Sequence, residues 1–319
     1  MYTIGIDLGG TNVRAGLVDE AGRVLASARR PTEAQRGPEH VMRLLIECAR
    51  EVDPRGEARA VGVGSPGCID VHTGRAQFAT DNLPGWAGME IKARLEEALG
   101  IPAIADNDAN VIGYGEYLWG AARGHRSFVM ITLGTGVGGC IFVDGRIVRG
   151  AHFAGGDVGH MTIDPNGRQC NCGRQGCIEA YISARAIAER ARYAARHPWG
   201  KAILAAAGGS LDNVSAKAVF DAAAAGDRWA QMLVDQVVEY TAIFLTNLFM
   251  VVDPEIMIVG GGVAHAGETL VEAINERMPV HRPLSCVPPP PVVRAQLIDQ
   301  AGVIGAAALA RSYVQTGEV

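Results

Sequence analysis

The chain has 319 residues, of which 48% are hydrophobic and 20% charged, with a formal net charge of -5. That length suits one large domain or two of ordinary size, and a chain this apolar buries a sizeable core. The acidic balance argues against nucleic acid or an anionic membrane as partner, and no apolar run is long enough to span a bilayer.

The opening MYTIGIDLGG lacks a charged n-region, an apolar h-region and a cleavage site, so no secretory signal is read and the cytoplasm is expected. Residues 2–7 (YTIGID) read as a buried strand, followed by a glycine turn and the hairpin pair 13–19 and 21–29. Residues 38–52 are amphipathic at helical period and open with Pro38 near the first helical position. ARAVGVGSPG is a strand running into a glycine-rich turn. EIKARLEEALG (90–100) is a helix stopped by Gly100, and IPAIADNDAN is a strand giving way to a helix start. RSFVMITL (126–133) is a strand entering GTGVGG, and CIFVDGRIV is a hairpin. Residues 183–206 and 214–249 are Ala-rich and helical, EIMIVGGG (255–262) is again strand to glycine, and 303–314 is a closing helix. The opening strand, glycine turn, strand and hairpin recur in outline at 127–149, which points to related α/β lobes.

Three glycine turns follow strands. In DLGGTNVR (7–14), Gly9 and Gly10 would let backbone N–H groups approach phosphate oxygens, Thr11 and Asn12 add donors, and Asp7 would hold Mg²⁺ through water. An ordinary tight hairpin is the plain alternative. LGTGVGG, with Gly134, Thr135 and Gly136, is neither a Walker A loop nor a dinucleotide fingerprint, because no GK[ST] follows and the chain continues into a strand. The third turn, VGGGV, carries Gly261 and Gly262. Together they favour a nucleotide site over coincident hairpins. Three of the seven cysteines fall within CNCGRQGC (170–177), and such spacing in a reducing compartment favours metal over disulfides. In ADNDAN (105–110), Asn107 or Asp108 reads on sequence alone as the cap of the following helix.

DLGGTNVR, GTGVGG and the third turn resemble the phosphate and adenosine elements of the actin-like sugar kinase superfamily, and CNCGRQGCIEAY resembles the signature of the ROK family (repressors, uncharacterised reading frames and sugar kinases). The resemblance implies a two-lobed α/β, actin-like ATPase (ribonuclease H-like) fold with the active site in the interlobe cleft. The lobes are expected at 1–107, joined by a closing helix 303–319, and at 108–302, carrying a zinc loop. His160, Cys170, Cys172 and Cys177 match the family's zinc ligands, one imidazole and three thiolates, a closed tetrahedral set for structural Zn²⁺. The match makes Asp108 the general base, the role a poorly nucleophilic sugar hydroxyl requires. It carries sugar contacts onto Asn107, Gly67 of GSPGCID, Asn82 of TDNLPGW, Glu179 of CIEAY and the second ring nitrogen of His160. GGDVGH departs from the family's usual glutamate by offering Asp157, a carboxylate one methylene shorter.

The implied activity is ATP-dependent phosphorylation of the glucose 6-hydroxyl in a cytoplasmic homodimer, with Mg²⁺ and ATP. N-acetylmannosamine kinase, fructokinase and a non-catalytic sugar-responsive regulator are the alternatives, and polyphosphate is the alternative donor. The family's repressors carry a helix-turn-helix ahead of the first lobe, for which the strand starting at Tyr2 leaves no room.

Overall fold

The computed structural model describes residues 1–79, 82–263, 268–283, 287–297 and 300–317. By internal packing the chain divides into two units, one of Met1–Gly124, Ile147–Gly156 and Gln296–Val319, the other of His125–Arg146 and Asp157–Ala295.

The first unit opens with the meander β1 (Tyr2–Leu8), β2 (Asn12–Val18) and β3 (Val24–Pro31), followed by α1 (Pro38–Val52) and β4 (Ala58–Ser65). A small hairpin, β5 (Cys68–Asp70) and β6 (Arg75–Phe78), precedes α2 (Ile91–Leu99), β7 (Ala103–Asn107) and α3 (Asp108–Trp119). The second unit contains β8 (Phe128–Leu133) and β9 (Val137–Val143), and β10 (Arg146–Ile147) runs out of it at the unit boundary. Its helical layer is α4 (Glu179–Ile182), α5 (Ala184–Ala195), α6 (Lys201–Ala206), α7 (Ala216–Ala224) and α8 (Arg228–Val252). Then come β11 (Ile256–Gly260), α9 (Glu268–His281) and β12 (Val292–Arg294), and α10 (Ala301–Thr316) returns to the first unit.

The two five-stranded sheets follow one plan. Their orders are β3-β2-β1-β4-β7 and β10-β9-β8-β11-β12. In each, the first strand is central, antiparallel to the second and parallel to the fourth. The repeat expected from the glycine turns is therefore a repeat of topology. It places both first turns, 9–11 and 134–136, at the end of a central strand.

Missing side chains position α10. A Cβ on Gly5 of β1 would lie 1.9 Å from the Val303 carbonyl oxygen, and one on Gly62 of β4 would lie 2.0 Å from that of Ala306. On the helix itself, a Cβ on Gly305 would lie 2.0 Å from the Val111 carbonyl oxygen of α3. Backbone packs on backbone here, and residues 301–310 of α10 are all buried. This packing corrects the expected boundary: α3 stays with the first unit, which runs to Gly124 instead of ending at Asn107, and the returning segment starts at Gln296. A strap, Ile147–Gly156, also belongs to the first unit.

Candidate active site

In the first unit the turn after β1 is closed by the Gly9 N–H donating to the Asn12 carbonyl at 3.0 Å, while the Thr32 hydroxyl donates to the Gly9 carbonyl at 2.6 Å. Gly9 thus spends its donor on the turn, leaving Gly10 and Thr11 as its exposed part. Gly10 packs on Asn82, whose Cβ would be 3.0 Å from an added methyl. Thr80 and Asp81, which open the TDNLPGW stretch, lie outside the described residues. The stretch is anchored beyond them by Trp86, which is fully buried and donates its indole N–H to Ser65 Oγ at 3.0 Å. Asp7 sits against Gly302, where a Cβ would come within 2.5 Å of its carboxyl carbon. Burial raises the Asp7 carboxyl, opposed by the Arg14 guanidinium. An acid held in this way gains from a nearby cation, so Asp7 fits a water-bridged Mg²⁺.

At the β7–α3 junction the cap and the candidate base are separate residues. Asn107 Oδ1 accepts from the N–H groups of Ala109 at 2.9 Å and Asn110 at 3.3 Å, which makes it the N-cap. Its Nδ2 donates to the Gly67 carbonyl at 3.1 Å. Asp108 is the first helical residue, half-buried at the strand's end. Gly67 has φ 96°, and a Cβ there would lie 2.2 Å from the Phe78 carbonyl, so the β5–β6 hairpin alone demands glycine. Asp106 is 1% exposed and pairs with Arg149. No sequence signal marks either residue, because the pairing spans 43 positions.

In the second unit Gly134 N donates to the Gly136 carbonyl at 3.0 Å, and Ala184 N to the Gly134 carbonyl at 2.8 Å. A Cβ on Gly134 would meet open space, whereas one on Gly136 would lie 2.4 Å from Glu179 Oε2. Glu179 accepts from the Val137 N–H at 3.0 Å and lies 3.5 Å from Arg185. This carboxylate, expected on the sugar, also braces the 134–136 turn. Thr135 is the exposed tip of that turn. A Cβ on Gly261, at φ 83°, would lie 2.7 Å from the Leu133 backbone, and one on Gly262 would meet open space, so the third turn adjoins the second. Asp157 precedes the short 3-10 turn Val158–His160 without capping it. Desolvation raises its carboxyl, His160 opposes the rise, and the Glu179 carboxylate adds to it.

His160, Cys170, Cys172 and Cys177 converge, their ligand atoms all within 4.8 Å of one another. Cys170 Sγ is 3.7 Å from His160 Nδ1, and Cys172 Sγ is 3.6 Å from Cys177 Sγ. Zinc–sulfur bonds of about 2.3 Å in a tetrahedron give edges of about 3.7 Å, so the donor set fits Zn²⁺. The knuckle is closed by Cys170 N donating to the Arg174 carbonyl at 2.8 Å. Burial pushes the Cys177 thiol up to about 12, so a cation is what would hold it as thiolate at neutral pH. Nδ1 is the ring nitrogen of His160 that faces the Cys170 sulfur.

A family model, described as the ROK family, matches residues 3–313. The glucokinase of Thermotoga maritima is 38% identical, with 98% of each chain covered. A crystal structure of a ROK family glucokinase from Streptomyces griseus, in complex with glucose and AMPPNP, superposes with a TM-score of 0.88 at 34% identity, covering 98% of this chain and 100% of that one. The ROK hexokinase of Thermus thermophilus superposes with a TM-score of 0.81 at 36% identity, covering 99% of both chains.

Proposed function

The chain belongs to the ROK family, and from that premise we propose that it transfers the γ-phosphoryl group of ATP to the 6-hydroxyl of glucose. Its fold is the actin-like, ribonuclease H-like ATPase fold of ROK sugar kinases. The observation that carries the reading is the β7–α3 junction. There the Asn107 side chain caps α3, and Asp108, whose carboxylate accepts from the Ala109 N–H at 2.9 Å, stands at the first helical position, the one that matches the family's base.

Asp108 accepts the proton of the 6-hydroxyl as the new O–P bond forms and the bond to ADP breaks, the proton leaving later to solvent. Gly10 and Thr11, and Thr135 and Gly136 in the turn that the Gly134 N–H closes, would offer backbone donors to phosphate oxygens. Gly262, with open space beside it, would let a nucleotide approach backbone closely, and Gly261 holds that turn against Leu133. Asn82, Asn107, Gly67, Asp157, Glu179 and His160 Nε2 orient the sugar. Asp7 would hold Mg²⁺, which neutralises charge on the β- and γ-phosphates. His160, Cys170, Cys172 and Cys177 would hold Zn²⁺ as a closed structural site with no part in the chemistry.

The protein works as a cytoplasmic homodimer with no nucleic-acid partner. The acidic balance supports the second half of that statement, and family resemblance supports the first. Among the described residues no helix is long and apolar enough to cross a membrane. Light scattering should give about twice the 33.6 kDa of one chain.

The test is an ADP-release assay with Mg-ATP across glucose, mannose, fructose, N-acetylglucosamine and N-acetylmannosamine, repeated with polyphosphate as donor. Preference for glucose with ATP is expected. Preference for another sugar or donor keeps the chemistry and overturns the specificity. No turnover on any pair overturns the reading.

A further inference from the structure

Asp106 and Arg149 take no part in the chemistry above, yet each is committed to the same short stretch of chain. Asp106 Oδ2 accepts from Arg149 Nε at 2.9 Å and pairs with its Nη2 at 2.8 Å. Asp106 Oδ1 accepts from the Asn107 N–H at 2.7 Å and from Asn110 Nδ2 at 3.1 Å. One carboxylate thus grips the residue before Asp108 and the residue two after it. The side chains are 2% and 10% exposed. A buried pair of this kind stabilises a fold little compared with apolar packing of the same volume, while fixing geometry well.

Arg149 belongs to the strap Ile147–Gly156, which is docked at further points. Gly155 N closes it on the Arg149 carbonyl at 2.8 Å. The Cys68 thiol donates to the His152 carbonyl at 3.1 Å. Phe153 packs edge-on to His72, with ring centroids 5.6 Å apart, and joins the cluster of Ala60, Val71, Ile104 and Val111. It does so at φ 58°, a backbone region that a bulky residue occupies only when its packing dictates it. Cys68 follows Gly67, whose carbonyl accepts from Asn107. The contacts therefore close a ring: Asp106, Arg149, the strap, Cys68, Gly67, Asn107 and back to Asp106. Asp108 is the next residue after that ring.

We propose that the Asp106–Arg149 pair is a positioning device that holds the Asp108 carboxylate in register with the sugar hydroxyl by tying the 147–156 strap to the first turn of α3. The inference rests on the reading of Asp108 as the base. A misplaced catalytic group costs about 10²-fold for an ångström of error, so the effect belongs in kcat. Asp106 reaches the proposed sugar-contacting set through the Asn107 backbone N–H and not through a side chain, so sugar affinity should change little.

The experiment is a double-mutant cycle of Asp106→Asn, Arg149→Met and both together, with Arg149→Lys as a milder variant should any of these fail to fold. It measures kcat, glucose Kd by calorimetry without nucleotide, and Tm. Expected are kcat losses of about 10²-fold in each single variant, a double variant no worse than either single, glucose Kd within about threefold, and partial recovery in Arg149→Lys. Losses confined to Tm, with kcat unchanged in folded protein, would show a purely structural pair and overturn the proposal. Losses that multiply in the double variant would overturn it as well, because the residues would then act separately. Asp108→Asn is run alongside: full turnover there sinks the base itself, whatever the cycle gives.

Discussion

At the β7–α3 junction, adjacent residues divide two tasks that either could perform alone. Asn107 spends its carbonyl on the cap and one amide hydrogen on Gly67, and Asp108 follows it into the helix. Asp108→Asn should lower kcat by about 10² to 10⁴-fold, the worth of a general base, while glucose Kd stays within about twofold. Undiminished turnover would reassign the base. Asn107→Ala should instead cost about 1 kcal/mol of stability and raise the sugar KM, since it removes the cap and the link to Gly67 together. Asp157→Glu restores the usual carboxylate length of the family, and a changed KM for at least one sugar is expected. An unchanged KM across all sugars would place that side chain outside the pocket. Motif spacing is what singles these residues out in the sequence. The reason for a glycine was not: Gly136 makes room for Glu179 and Gly67 for the Phe78 carbonyl, while Gly134 and Gly262 face open space. Asp106 and Arg149 left no trace at all, since nothing in a sequence pairs residues 43 apart.

Glu179 matters at the scale of elements because it joins two of them. Its Oε1 lies 3.8 Å from Cys170 Sγ in the knuckle, and its Oε2 accepts from Val137 N–H at the phosphate turn. Removing the metal should therefore do more than lower Tm. Metal analysis should give about one zinc per chain, as four protein ligands imply. Chelation should weaken AMPPNP binding, measured by calorimetry, along with the fall in Tm. A metal-free chain with unchanged Tm would refute the site, and intact AMPPNP affinity after zinc loss would refute the coupling. Elements with their own local stops were readable: α1 begins at Pro38, and α2 ends at Gly100 with φ 70°. Those set by tertiary contact were not. The run 214–249 breaks between α7 and α8 at Gly226, with φ 92°, and Asp227 caps α8. Neither α9 nor the β5–β6 hairpin was anticipated, and no local pattern marks the strap, because its anchors lie far away in sequence.

For the whole molecule, one sheet plan used twice gives each unit a central strand ending in a glycine turn, and α10 locks the first unit by backbone contact. That lock presses Gly302 against Asp7 and is one source of the burial that raises its carboxyl. A raised folded-state pKa means that the folded chain binds the proton more tightly than the unfolded chain, whose aspartate titrates near 3.9. The contribution to stability is thus complete below about pH 4 and is lost as pH rises through the folded pKa. Arg14 limits the loss without cancelling it. Asp7→Asn removes the titration, so the nucleotide-free variant should have a higher Tm than the parent at pH 7, with the difference closing as pH falls towards 3.5. Mg-AMPPNP should reverse the order, because only the parent has a carboxylate for the cation to satisfy. Thermal melts at several pH values, with and without Mg-AMPPNP, decide it. A variant that melts lower at every pH, or a gap that does not move with pH, would mean the buried carboxylate is already compensated in the empty protein. In that case Asp7 is a structural acid and not a place kept for the metal.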